Sequence, residues 1–137
     1  MPTQQELAEF MVREFPQSRA RIESIGPKSA VLRRPVSDID LRPGGTVSGP
    51  VLMEAADVAL YIAILGEIGI VPLAVTTSLN INFLRKPAAG ADILAHCSLL
   101  KVGRVLVIGE VTLYSEGMAE PVAHAVGTYS VPPTKAG

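Results

Sequence analysis

Residues 49–68 read GPVLMEAADVALYIAILGEI, and this stretch decides the fold because it is the longest apolar run in the chain. Pro50 is favoured at the first position of a helix, and Gly69 favours a helix end. The stretch therefore predicts one long, buried helix. Glu54 and Asp57 lie near its centre. Because burying an unpaired charge is costly, both acids need a role.

The same stretch is about long enough to cross a membrane. Glu54 and Asp57 near its middle would each cost roughly 2.5–3.5 kcal/mol in a bilayer. Helices that are apolar all round are otherwise buried inside proteins. We therefore expect the rest of the chain to wrap this helix, and we expect no membrane partner.

The 137-residue chain has the length of one ordinary domain, so residues 1–137 are expected to form a single domain. A hydrophobic content of 48% argues against disorder, and a net charge of −1 gives no sign of nucleic-acid binding. The single cysteine, Cys97, excludes an intramolecular disulfide and fits a reducing compartment. Charges near the start argue against an export signal, so we expect a cytoplasmic protein.

The remaining chain predicts a short N-terminal helix, six strands and a frayed tail. Residues 1–16 carry apolar positions at helical spacing behind a Thr3–Glu6 capping box. The last four strands are joined by short turns and predict an antiparallel meander. Together these elements predict an α+β fold in which an antiparallel sheet of about six strands wraps around one long central helix. The predicted strands span 19–25, 29–36, 73–83, 92–102, 105–114 and 122–131, and the tail spans 132–137.

The third predicted strand shows the clearest alternation in the chain. Its odd positions are mostly apolar and its even positions are polar, from Leu73 to Phe83. We therefore expect the odd positions, including Thr77, to face the core, and the even positions, including Thr76, to form the polar face.

Two motifs resemble the hotdog fold, and more narrowly the PaaI-like acyl-CoA thioesterases. That family has a glycine, then a His-Gly-Gly triplet, then an acid on the helix nine residues after the histidine. Gly45, Gly49 and Asp57 match this pattern. A second stretch, TTSLNINFLRKPA at residues 76–88, is similar to the family's next strand.

Three positions depart from the family pattern. Ser48 replaces the triplet histidine, Pro50 replaces its second glycine, and Arg42 lies where an asparagine often precedes the early glycine. In relatives these positions shape the acyl pocket and help to hold the water or the carbonyl. The resemblance therefore implies substrate-binding roles for all three.

The resemblance implies hydrolysis of an acyl-CoA thioester to a free acid and coenzyme A (CoA), with no cofactor apart from the CoA of the substrate. Such a reaction needs an activated water or a carboxylate nucleophile, and a donor for the developing oxyanion. Asp57 can act as general base or nucleophile, and the Gly49 N–H at the helix start can be the donor. Thr76 is the expected hydroxyl partner of the acid, and Thr77 is the weaker choice.

The spacing of these two residues predicts a homodimer. Gly49 and Asp57 are eight residues apart, which is about 12 Å along a helix. One reacting carbonyl must lie within about 3 Å of both groups. One helix cannot supply both, so Gly49 of one subunit should meet Asp57 of another. A dimer of dimers stays an open alternative.

Several roles have two interpretations. The pairs Arg85–Lys86 and Lys101–Arg104 either hold the CoA phosphates or are solvated turn charges. Asp57 could instead be a structural carboxylate, and Glu54 is expected to be structural or to lie at a subunit interface. Arg33 and Arg34 are either a solvated strand end or a phosphate contact. Ser48 is expected to be a helix N-cap. His96 and His124 lack metal-ligand spacing, so no metal is expected.

Two other functions also stay open at this stage. A non-catalytic acyl-CoA-binding hotdog protein would tolerate the changes at Ser48 and Pro50. A hotdog enoyl-CoA hydratase would pair the acid with a histidine, and none lies near the loop that precedes the helix.

Overall fold

A computed structural model describes residues 1–133, so residues 134–137 of the predicted tail lie outside the described residues. The expected α+β architecture is confirmed: six antiparallel strands form one sheet against a long helix. The helices are α1 (Gln4–Glu14) and α2 (Gly49–Ile68), and a 3-10 turn spans Asp38–Asp40. The strands are β1 (Arg21–Gly26), β2 (Ser29–Arg34), β3 (Val75–Phe83), β4 (Ile93–Val102), β5 (Leu106–Ser115) and β6 (Ala123–Ser130).

Helix α2 begins and ends where the sequence predicts. Ser48 is its N-cap residue, although its side chain forms no capping hydrogen bond, and Pro50 lies in the first turn. Gly69 ends the helix with a φ of 99°, a conformation that favours glycine, and its N–H donates to Leu65 at 2.9 Å. No helix within residues 1–133 has the length and hydropathy that a membrane span requires.

The predicted four-strand meander is wrong in one strand. The order across the sheet is β1-β2-β4-β5-β6-β3, so β3 pairs with β6 and not with β4. Helix α2 carries the chain from β2 to the far edge of the sheet, where β3 forms. The chain then returns to pair β4 with β2. Strand β3 is therefore an edge strand, and only β4, β5 and β6 form a meander.

A β-bulge in β3 interrupts the alternation that the sequence predicts. Thr76 pairs with Tyr129 and Ser78 with Thr128, so Thr77 is an extra residue in the register. The expectation that Thr77 faces the core is wrong: it is exposed, and its hydroxyl donates to the Thr128 carbonyl at 3.2 Å. The bulge reverses the alternation, so Thr76 points towards α2.

Two glycines let α2 lie close to the centre of the sheet. A Cβ added to Gly109 of β5 would lie 2.7 Å from the Leu60 side chain, and one added to Gly127 of β6 would lie 2.4 Å from it. A larger residue at either position would require the Leu60 side chain to move. The middle of α2, which carries Asp57, therefore packs closely against the sheet.

Helix α1 covers one side of α2. Its predicted capping box is present, with Thr3 and Glu6 bonding reciprocally. Phe10 is buried, and the Phe15 ring that follows the helix packs edge-on against Tyr61 of α2 at 5.5 Å. This packing leaves cavities between the two helices.

Candidate active site

The Asp57 carboxylate is held by two hydroxyl groups from different strands. The Thr76 hydroxyl donates to Asp57 Oδ1 at 2.6 Å, and the Tyr129 hydroxyl lies 2.8 Å from the same oxygen. Asp57 Oδ2 accepts no hydrogen bond from any side chain or backbone group within residues 1–133. The carboxylate is therefore oriented through one oxygen, and the other is available to water or substrate.

Sequence reasoning missed Tyr129, which brings β6 into the site. Its hydroxyl also lies 3.0 Å from the Asp57 backbone carbonyl. Burial, together with the charge of Asp57, raises the pKa of Tyr129 well above its ordinary value, so the hydroxyl remains a donor. A signal was present: Tyr129 alternates with Ala123 and Ala125 on the buried face of β6, and a buried tyrosine hydroxyl needs a partner.

Asp57 lies between two concave surfaces. On one side is a cavity of about 280 Å³ between α1, α2 and the start of β3. On the other is a more open groove along the exposed side of α2. The groove is lined by Pro50, Met53, Glu54, Asp57, Thr76 and Leu79. A substrate bound at Asp57 could therefore extend in two directions.

Gly49 lies at the start of α2, where no helical carbonyl is available to accept its N–H. A Cβ added to Gly49 would lie 3.3 Å from the Phe83 ring, so the strand approaches the helix closely there. Gly49 and Asp57 belong to the same continuous helix, which keeps the expected separation of about 12 Å within one chain. The predicted oxyanion donor and the predicted base are therefore not brought together by one subunit.

Glu54, one turn before Asp57, has a different environment. Arg34 donates to Glu54 at 3.1 Å and forms two hydrogen bonds with Asp40, at 3.0 and 3.1 Å. Arg34 and Asp40 are buried, with exposures of 5% and 6%, so Arg34 is neither a solvated strand end nor a phosphate contact. Burial lowers the pKa of Arg34, but the hydrogen bonds to Asp40 and Glu54 have the larger effect, so the pKa is raised overall. Arg34 in turn holds the pKa of Asp40 below its ordinary value.

This ion cluster joins the loop before α2 to the helix. Asp40 accepts the Ser48 N–H through its backbone carbonyl at 3.0 Å, next to the first residue of the helix. Arg34 therefore connects β2, the 3-10 turn and α2. Arg33 is instead paired at the surface with Glu23, Asp92 and Glu116.

Four other residues that the sequence predicts to bind substrate lie near the helix start or in β3, and they differ in whether they share the groove with Asp57. Pro50 lines the groove with Asp57, and Ser48 is half-buried beside it at the helix start. Arg42 is exposed in the preceding loop, where its backbone N–H donates to Thr46. Thr77 is the extra residue of the bulge, and its hydroxyl donates to the Thr128 carbonyl and not to Asp57.

The two basic pairs lie at opposite ends of the molecule. Arg85 and Lys86 follow β3, just beyond the Phe83 ring that packs on Gly49. Lys101 and Arg104 lie where β4 turns into β5, and Arg104 lines a surface pocket with Ile68 at the other end of α2.

The histidines and the cysteine lie away from Asp57. His124 is 3.4 Å from Glu110, and the His96 ring packs against Tyr114. Burial raises the pKa of Cys97 to about 12, so the thiol is unreactive. No cluster of three or more metal-ligating side chains is found within residues 1–133.

The chain was also compared with known proteins. A model of the thioesterase superfamily matches residues 44–122, from the loop before α2 to the residue before β6. No curated protein sequence matches.

Solved structures extend the match to most of the chain. A candidate thioesterase from Silicibacter sp. TM1040 is 41% identical, with a TM-score of 0.88 over 96% of this chain and 92% of that one. A mutant of the phenylacetic acid degradation protein PaaI from Thermus thermophilus is 26% identical, with a TM-score of 0.73 over 90% and 99%. A hypothetical thioesterase from Streptococcus pneumoniae, crystallised with CoA, is 19% identical, with a TM-score of 0.73 over 85% and 88%. The predicted hotdog fold and the resemblance to PaaI-like proteins are confirmed.

Proposed function

Since the chain belongs to the thioesterase superfamily, we propose that it hydrolyses an acyl-CoA thioester to a free acid and CoA. The observation that carries the proposal is the Asp57 carboxylate, which lines a cavity and is oriented by Thr76 and Tyr129, while its other oxygen accepts no hydrogen bond within residues 1–133. Such an arrangement suits a group that must accept a proton or attack a carbonyl.

In the proposed reaction, Asp57 acts on the thioester as general base or nucleophile. As a base, it takes a proton from water while the water oxygen attacks the carbonyl carbon. The carbon–sulfur bond then breaks, and the sulfur leaves with a proton as the CoA thiol. As a nucleophile, Asp57 would attack the carbonyl carbon and expel the CoA thiolate, which leaves a mixed anhydride on Asp57. Water would then cleave the anhydride, which releases the free acid and restores the carboxylate.

A second subunit would complete the site. The proposed oxyanion donor, the Gly49 N–H, is about 12 Å from Asp57 along its own helix, so a partner's Gly49 is needed. Two features of the surface favour such a partner. Strand β3 is an unpaired edge with exposed apolar residues, and the groove along α2 exposes Met53 beside Asp57. We propose a homodimer with two equivalent sites, and a dimer of dimers is compatible with it.

Arg85 and Lys86 are the better candidates for the CoA phosphates. They lie at the Gly49 end of the subunit, so they would accompany Gly49 to the partner's site. Arg85 is paired with Glu120 at 2.9 Å, whereas Lys86 forms no ion pair within residues 1–133. CoA in the Streptococcus pneumoniae structure is compatible with a CoA-type substrate on this fold. Lys101 and Arg104 would remain at the far end.

The second candidate function is acyl-CoA binding without hydrolysis. It is favoured by Ser48 and Pro50, which stand where the family pattern has histidine and glycine. A hydratase is not favoured, because neither histidine lines the cavity or the groove at Asp57. A cytoplasmic location is also proposed, and the single cysteine supports it.

The test compares two acids on the same helix. Asp57→Asn should lower kcat by about 10²–10⁴-fold on the best acyl-CoA substrate, because it removes the proton acceptor. Glu54→Gln is the matched control: it also neutralises an acid in the groove, but one that is paired with Arg34. Thiol release measured on a panel of acyl-CoAs decides the matter. Binding without thiol release, or equal turnover by Asp57→Asn and wild type, contradicts the enzymatic proposal.

A further inference from the structure

The cavity beside Asp57 has one polar end and otherwise mostly apolar walls. Its polar end consists of Asp57, Thr76 and Tyr129, and among the residues that the structure describes Asp57 is its only charged lining residue. The rest of the wall comes chiefly from apolar and aromatic side chains of α1, α2 and the segment before β3. These are Met11, Phe15, Val58, Tyr61, Pro72, Ala74 and Val75, together with Ser18.

A second cavity of about 340 Å³ lies further under α1. It extends between α1 and the first strands towards Leu32 and Ile62. The two cavities share four lining residues, Met11, Phe15, Ser18 and Val58. These side chains therefore form the partition between the two spaces.

The positions of the polar groups orient a bound thioester. Its carbonyl carbon must lie within reach of Asp57, and the acyl group and the CoA sulfur leave that carbon on different sides. The open groove is exposed enough for CoA, whereas the cavity of about 280 Å³ is small and apolar. An anionic acyl group would meet the Asp57 charge there with no cation among the lining residues to balance it.

We propose that the cavity between α1 and α2 binds an uncharged, apolar acyl group, and that Phe15 and Met11 limit its length. This inference rests on the proposed thioester hydrolysis. Phe15 is held firmly: its backbone N–H donates to Met11 at 2.8 Å at the helix end, and its ring packs on Tyr61. Shortening the Phe15 side chain should join the two cavities.

The experiment uses Phe15→Ala and a series of straight-chain acyl-CoAs from butanoyl to tetradecanoyl. Each CH₂ group that gains an apolar environment should improve kcat/KM by about fourfold. We expect Phe15→Ala to move the preferred chain length upward and to raise kcat/KM by about tenfold or more on the chains that wild type disfavours. Butanoyl-CoA should gain nothing. Met11→Ala, which removes the other side of the partition, is the second variant should Phe15→Ala fail to fold.

Phe10→Leu is the matched control. Phe10 also belongs to α1 and packs on both Phe15 and Tyr61, but it lines neither cavity. Its chain-length profile should be that of wild type. An unchanged profile in folded Phe15→Ala and Met11→Ala, the same shift in Phe10→Leu, or a preference for acyl groups that end in a carboxylate overturns the inference.

A binding measurement separates this inference from the proposed function. Non-hydrolysable thioether analogues of the same series are titrated by calorimetry into wild type and Phe15→Ala. A longer preferred chain in Phe15→Ala supports the acyl cavity even if no acyl-CoA is hydrolysed, and in that case only the enzymatic proposal fails. Equal chain-length dependence of Kd in the two proteins overturns the cavity assignment even if hydrolysis is observed.

Discussion

Glu54 and Asp57 lie one turn apart on the same helix, yet their surroundings differ in kind. Glu54 is bonded to the buried cation Arg34, which also holds Asp40. The Asp57 side chain, by contrast, is bonded within residues 1–133 only to the neutral hydroxyls of Thr76 and Tyr129. A cation neutralises a carboxylate and anchors it, while hydroxyls orient the charge without cancelling it. The type of partner therefore separates the structural acid from the candidate catalytic one, even though both line the same groove.

The largest effect is expected from breaking the ion cluster. Arg34→Met would remove both hydrogen bonds of the buried cation to Asp40, and breaking a buried pair costs about 3–5 kcal/mol when nothing compensates the remaining charge. The half-exposed Arg19, 3.5 Å from Asp40 Oδ2, would remain as a weaker partner, so the lower end of that range applies. We expect the free energy of unfolding, measured by urea denaturation, to fall by that amount. A loss of less than about 1 kcal/mol, the value typical of exposed pairs, would contradict a buried anchoring role.

The double variant Arg34→Met/Asp40→Asn serves as the control for this prediction. It removes the buried charge of Asp40 as well as its main cation, so it should be more stable than Arg34→Met alone. If the double variant is the less stable of the two, the cost of Arg34→Met does not come from the buried carboxylate that it leaves behind.

The sequence predicted the helix but not this cluster, for a physical reason. Helix α2 is encoded locally, by its apolar run and by Pro50 and Gly69. Arg34, Asp40 and Glu54 come from a strand, a turn and a helix, and only the folded chain brings them together. The position of β3 was missed for the same reason. Its pairing with β6 depends on which edge of the sheet the chain reaches after α2, and the local sequence does not show this.

A smaller effect is expected at the hydroxyl groups that hold Asp57. Tyr129→Phe removes one donor to Oδ1 and keeps the ring, and hydrogen bonds to charged groups contribute about 1.5–3 kcal/mol. We expect kcat to fall by about tenfold with little change in KM, because the carboxylate loses its orientation and not its chemistry.

Tyr61→Phe is the matched variant. Its hydroxyl donates to the Pro72 carbonyl at 3.1 Å in the same cavity and does not touch Asp57. Comparable losses of kcat in the two variants would mean that the cavity as a whole, and not the bond to Asp57, is disturbed.

The bulge at Thr77 shows where the site could not be predicted. Strict alternation places Thr76 on the polar face and Thr77 on the core face, which makes Thr77 the weaker choice as the partner of Asp57. One extra residue in the register turns Thr76 towards α2 and leaves Thr77 exposed, so the hydroxyl bonded to Asp57 comes from a face that alternation did not assign to the helix. The alternation of apolar and polar residues in the sequence does not reveal such an extra residue.

The smallest effect is a dependence of stability on pH that belongs to the ion cluster. Arg34 lowers the pKa of Asp40 in the folded protein, so on acidification the unfolded chain takes up the proton first. The stabilising contribution is therefore complete above the ordinary carboxyl pKa of 3.8 and is lost as the pH falls through the lower folded value. Urea denaturation between about pH 5 and pH 2 should show stability decreasing with acid more steeply in wild type than in Arg34→Met/Asp40→Asn. Parallel curves would mean that protonation of Asp40 does not weaken the Arg34 cluster. The difference between Glu54, which is paired with Arg34, and Asp57, which is held by hydroxyls, could then not be attributed to the charge of Arg34.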